Sequence, residues 1–190
     1  MKDNASRNQA MNISKTQTLV LAALFLALGL ILPSLTGAIK EIGDSLLPMH
    51  LAVMLCGAIC GWKYGILVGA VLPFLRSLLF SMPPLYPNAV WMATELATYG
   101  LVIGIMYAHL KGNSKWRIFI CLISSMIAGR IVWGISKATL LGVAGKPFGI
   151  EAFIIGGFVD AIPGIILQLI LVPTIVILTD KKLSKQSTLK

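Results

Sequence analysis

Leu46 to Phe80 reads LLPMHLAVMLCGAICGWKYGILVGAVLPFLRSLLF, two apolar runs meeting at Gly61-Trp62-Lys63-Tyr64-Gly65. Five residues are too few for a separate loop, so the runs are expected as two short membrane helices in a tight hairpin. Working outward with Pro, Gly and charge as punctuation gives further helices near 17–33, 88–109, 116–141 and 151–179. With 46–61 and 64–81 these make an all-α membrane protein of six transmembrane helices. Its membrane domain occupies 17–180, between an N-terminal segment 1–16 and a basic tail 181–190. Composition agrees: 57% of the 190 residues are apolar and 12% charged, against about 25% charged in a soluble domain. A soluble enzyme core, a collagen and a disordered chain all fail on that arithmetic.

The net charge of +9 follows from topology rather than from a nucleic-acid partner. An even number of spans puts both termini on one side. With the termini cytoplasmic, the inner segments hold Lys2, Arg7, Lys15, Lys63, Lys111, Lys115, Arg117, Lys181, Lys182, Lys185 and Lys190, and the outer loops hold Lys40 and Lys146. That is the positive-inside bias. Cys56, Cys60 and Cys121 lie in apolar runs and read as small apolar residues, not as a disulfide framework or a metal site. The first apolar run is too long for a signal peptide and lacks a cleavage site. The last span contains Pro163 and Pro173, each of which removes a helical hydrogen bond and invites a kink.

Five ionisable residues fall inside the spans: Arg76, Glu95, Arg130, Lys137 and Asp160. Each costs about 2.5–3.5 kcal/mol at a helix centre and so needs a partner, a wet cavity or a ligand. In the six-span reading they gather in the outer half of the membrane, a pattern that fits an outward-opening pocket better than a through-channel. The alternative is structural ion pairing, Arg76 with Glu95 and Arg130 or Lys137 with Asp160. Three cations against two carboxylates leave one positive charge for a ligand carboxylate or phosphate, unless Lys137 snorkels to the interface. Trp133 lies one turn from both Arg130 and Lys137, and Asn88, Trp91 and Glu95 follow one another at one-turn spacing. Aromatic faces beside charges suit a flat or amide-bearing ligand, although Trp at an interface is also ordinary belt composition. His50 is either a helix-start residue or a ligand contact.

The three prolines of 80–88 make a stiff outer segment that can wall the pocket, and the 33–47 loop is either a lid or an interfacial segment. Small residues spaced one turn apart, Ala23…Ala27, Gly57…Gly61, Gly65…Gly69 and Gly100…Gly104, permit close helix approach. Phosphate-loop, zinc-protease, serine-hydrolase and Cys-x-x-Cys motifs are absent, so neither a cofactor nor an energy-coupling element is expected within the chain.

The six-helix size, Ala23-xxx-Ala27, and the run Leu47-Pro48-Met49-His50…Cys56-Gly57…Cys60-Gly61…Tyr64-Gly65…Gly69…Pro73…Arg76…Met82-Pro83-Pro84…Pro87…Glu95-Leu96…Tyr99-Gly100 together resemble the substrate-binding S-components of energy-coupling factor (ECF) transporters. The resemblance spans nearly the whole chain and is most specific from 47 to 104. It implies a non-enzymatic subunit of the bacterial plasma membrane that captures a vitamin outside and docks through span one on a scaffold membrane subunit. Two cytoplasmic ATPases then drive it to topple and release the ligand inside. Ala23 and Ala27 match the family's docking pair, and the family's ligand sits between the first loop and spans four to six. Pantothenate is implied by the spare charge; a pyrimidine or pyridine such as hydroxymethylpyrimidine or pyridoxine is implied by Trp91 and Trp133. Trp91, Glu95, Arg130, Trp133, Lys137, Asp160, Arg76, Asn88 and His50 are the candidate substrate contacts. A self-sufficient secondary transporter or channel is the competing reading.

Overall fold

A computed structural model of the chain describes residues 14–36, 46–110 and 114–188. Its elements are all helical: α1 (Lys15–Thr36), α2 (Pro48–Cys60), α3 (Trp62–Phe80), a wide turn (Leu85–Ala89), α4 (Val90–His109), α5 (Ser114–Val143), α6 (Ile150–Ile154), a single π-turn (Ile155–Val159) and α7 (Ile162–Thr188). Five helical stretches are long and apolar enough to cross a membrane: Lys15–Leu35, Trp62–Phe80, Leu85–His109, Trp116–Val143 and Ile162–Asp180. The remaining apolar helices, Pro48–Cys60 and Ile150–Val159, are shorter. The expectation of six full spans is therefore met in part. At 13 residues α2 rises about 20 Å, well short of the roughly 30 Å hydrocarbon core.

What α2 lacks in length it makes up in burial. All its residues except Ile59 are buried, because it contacts α1, α3, α4 and α7 at once. A helix enclosed on every side needs no polar face, which is why the 48–60 run is apolar without periodicity. The hairpin with α3 turns at Gly61, whose φ of 92° is accessible to glycine at little steric cost. Gly57, Gly65 and Gly100 then meet backbone to backbone: a Cβ at Gly65 would lie 2.8 Å from Gly57 Cα, and one at Gly100 would lie 2.3 Å from the Gly65 carbonyl. Gly69 and Gly104 repeat the close approach against Leu96 and Trp62. The small-residue pairs on α3 and α4 thus serve packing within this chain.

The faces of α1 separate cleanly. Thr18, Ala22, Phe25 and Gly29 are buried against the bundle, whereas Val20, Ala23, Leu24 and Ile31 are exposed and Ala27 is half-buried. At the C-terminal end of α1, Arg76 Nη1 donates to the Leu30 carbonyl at 2.7 Å and to Ser34 Oγ at 3.3 Å.

Pro163 cannot donate a hydrogen bond, and the chain responds with a break rather than a bend. The Ile155–Val159 π-turn closes with Asp160 N–H donating to Ile155 O at 3.0 Å, and α7 starts afresh at Ile162. Wide turns of this kind frequently mark functional sites. Most of the 33–47 loop lies outside the described residues, and with it the lid expectation. The 1–13 segment, Lys40 and Lys111 lie outside them as well.

Candidate substrate-binding site

Two polar clusters sit on α4 and α5, one deep and one near the Trp91 end. In the deep cluster, Glu95 Oε1 receives Arg130 Nη1 at 3.0 Å and Tyr99 OH at 3.1 Å, and His50 Nε2 stands 3.3 Å away. The His50 approach is close enough for electrostatic contact but misaligned for a hydrogen bond. Glu95 is 2% exposed, His50 3% and Arg130 5%. A guanidinium and a phenol face this carboxyl far from water, one turn of spacing bringing Tyr99 back onto Glu95. The His50 and Tyr99 rings meet edge to face with centroids 5.2 Å apart.

In the second cluster Lys137 is enclosed by aromatic faces. Its Nζ lies 4.6 Å from the Trp133 ring centroid, 5.2 Å from Phe148 and 5.4 Å from Trp91. Arg130 Cζ stands 5.9 Å from the same Trp133 ring, so the one-turn spacing of 130, 133 and 137 does put both cations against one indole. Cation–π contacts of this kind contribute about 0.5–2 kcal/mol each, more where water is excluded. Lys137 has no ion pair among the described residues. Phe153 closes the cage from behind, its ring 6.0 Å from Trp133. It lies so close over Gly134 that a Cβ there would fall 2.4 Å from the Phe153 ring. Thr94 and Ser136 share a hydrogen bond at 2.9 Å that ties α4 to α5 beside the cage.

Several expected residues stand elsewhere. Arg76 is engaged with the end of α1, not with Glu95. Asp160 sits exposed at the α6–α7 break and pairs with neither Arg130 nor Lys137, because the break turns it out of the bundle. Asn88 is half-buried in the turn preceding α4, and no hydrogen bond joins it to the clusters among the described residues. Ionisable groups are not confined to the Trp91 half either. At the opposite ends of α4, α5 and α7, Tyr107 OH donates to Asp180 Oδ2, Arg117 Nη2 approaches that oxygen at 3.5 Å, and the guanidinium stacks 4.2 Å over the Tyr107 ring.

Two further residues belong to these clusters without being candidate contacts by sequence. Tyr99 is signalled only by its place four residues after Glu95. Gln168 is the lone amide in the apolar run after Pro163; it is 1% exposed, and its Nε2 has no hydrogen-bond partner among the described residues. It lines a cavity of about 210 Å³ with Tyr99, Arg130, Ile123, Met126 and Phe158 among its walls.

A bundle of apolar helices carrying buried charge and an aromatic-lined cation defines a multi-pass membrane protein with an intramembrane polar site. The family model for the ECF transporter substrate-specific component matches residues 17–176, and the chain belongs to that family. It is therefore an S-component, a transporter's binding subunit in the cell membrane and not an enzyme, and its family implies a substrate and an ECF module as partners. Neither a curated protein nor a solved structure matches the chain.

Proposed function

We propose that this S-component captures a small water-soluble vitamin at the Trp91 end of α4 and α5 and delivers it to the cytoplasm with an ECF module. Pantothenate, hydroxymethylpyrimidine and pyridoxine are the candidate ligands. The observation that carries the proposal is Lys137: a cation ringed by Trp91, Trp133 and Phe148 and lacking a carboxylate partner among the described residues. Such a group offers an incoming ligand both a charge and flat faces to stack on. Glu95, already satisfied by Arg130 and Tyr99, holds the floor of the site rigid. Trp133 forms a contact surface shared by both clusters.

In this reading both termini are cytoplasmic, in keeping with the bias of Lys and Arg toward one set of segments. Ala23 and Ala27 dock on the scaffold subunit, which the exposure of Ala23 and the half-exposure of Ala27 on α1 support. Two cytoplasmic ATPases supply the energy.

Tryptophan-fluorescence titration of the purified protein with the three vitamins tests the proposal, because Trp91 and Trp133 line the site. At least one vitamin binds one-to-one, and Lys137→Gln weakens binding of an anionic ligand by about tenfold or more, as loss of a charged hydrogen bond predicts. Unchanged affinity in the variant would reduce Lys137 to an interfacial residue.

A further inference from the structure

The apolar span of α7 ends at Asp180, yet the helix continues to Thr188. Residues 181–188 add about 12 Å, enough to cross a headgroup layer of roughly 5–8 Å. They include Lys181, Lys182 and Lys185. The exposed stripe of α7 runs through Ile162, Ile166, Ile170, Thr174 and Leu178. At about 100° per residue the three lysine positions fall within about 60° of Leu178 around the helix axis. They therefore continue the stripe that faces away from the bundle, not the face that packs on it.

A second observation fixes the depth of these positions. Arg117 Nη2 approaches Asp180 Oδ2 at 3.5 Å, so the start of α5 and the end of the α7 span lie level. Beside Arg117, Trp116 is 73% exposed and heads the exposed stripe Ile120, Ile123, Ile127 of α5. An indole at the end of an apolar stripe belongs at the boundary between hydrocarbon and headgroups, which places residues 181–185 in the headgroup layer. Asp180 is engaged by Arg117 and Tyr107, and neither the 110–120 segment nor the chain after Asp180 contains another acidic residue. We infer that the level ends of α5 and α7 form a binding site for an acidic phospholipid. Its phosphate is drawn to Lys115, Lys181, Lys182 and Lys185, and its acyl chains lie along Trp116 and the two exposed stripes. Lysines grouped just outside a span attract acidic headgroups in this way, by about fivefold each, whereas a zwitterionic headgroup offers them no net charge. Continuity with the exposed apolar stripes selects a lipid over a soluble anion. The leaflet is the cytoplasmic one in the orientation proposed above, but binding itself does not depend on that orientation or on the vitamin site.

The test reconstitutes the full chain in phosphatidylcholine bilayers in which part of the lipid is replaced by phosphatidylglycerol or phosphatidylcholine brominated high on its acyl chains, so that tryptophans in contact with it are quenched. Wild type should be quenched at a mole fraction of the acidic lipid lower by about fivefold or more. Trp116→Phe should remove that preference from the signal, because it removes the reporter. Lys181→Gln, Lys182→Gln and Lys185→Gln combined should bring the two lipids to parity with Tm unchanged, and arginine at the same three positions should keep the preference. Equal quenching of wild type by the two lipids, or a preference that survives the glutamine replacements or Trp116→Phe, overturns the inference. Loss of the preference in millimolar inorganic phosphate would make this a free-anion site and overturn it as well. Equal quenching of wild type, together with loss of co-purification with the ECF module in the glutamine variant, would assign the lysines to an acidic protein surface instead.

Discussion

Replacing Glu95 by Gln keeps the side chain's volume and removes its charge. Arg130, 5% exposed, then remains a buried cation without its anion. At the 3.0 Å separation and an effective dielectric constant of about 20, Coulomb's law gives an attraction of about 5.5 kcal/mol. Mutational experience with broken buried pairs gives about 3–5 kcal/mol of lost stability, consistent once the retained amide hydrogen bond is subtracted. At roughly 2–4 °C per kcal/mol for a chain of this size, Tm in detergent should fall by about 6–20 °C. Differential scanning fluorimetry on the intrinsic tryptophans reads it directly. The second arm is the double variant Glu95→Gln with Arg130→Met, which removes the stranded charge and should recover more than half of the loss. A Glu95→Gln shift below about 2 °C, or a double variant no more stable than the single, would refute the view that this pair is a buried, mutually dependent unit.

The glycine contacts make an equally local prediction. Gly100→Ala, whose Cβ would meet the Gly65 backbone at 2.3 Å, should force α3 and α4 apart and lower stability by about 1–3 kcal/mol; Gly142→Ala, with nothing within 4 Å, should be neutral, and equal Tm values for the two would refute the close packing. Ala23→Trp and Ala27→Trp, at an exposed and a half-buried position of α1, should abolish co-purification with the scaffold subunit while leaving vitamin affinity intact. Parallel loss of both properties would remove α1 as the docking face.

The membrane character, the hairpin at Gly61 and the shared face of Arg130, Trp133 and Lys137 were legible because each depends on local periodicity or on glycine's freedom at positive φ. Partner choice was not. Arg130 meets Glu95 across 35 residues and Arg76 meets Leu30 across 46; a list of charged residues on four helices does not say which faces turn toward each other. Asp160 stands exposed because the chain breaks before Pro163, where the proline alone suggests a kink. Gln168 leaves little trace in hydropathy because its amide is uncharged, although burial with Nε2 unpartnered among the described residues makes it as informative as the charges. The shortness of α2 was partly visible in its proximity to α3, but its complete enclosure depends on tertiary packing.

As an S-component of the proposed kind, this chain binds its solute alone and moves it only with an ECF module. Proteoliposomes containing the chain, with and without the module, should be loaded with ATP and assayed for accumulation of the vitamin identified by titration. Binding is expected in both preparations, and accumulation only where module and ATP are both present. Accumulation by the chain alone would contradict it and establish a self-sufficient transporter.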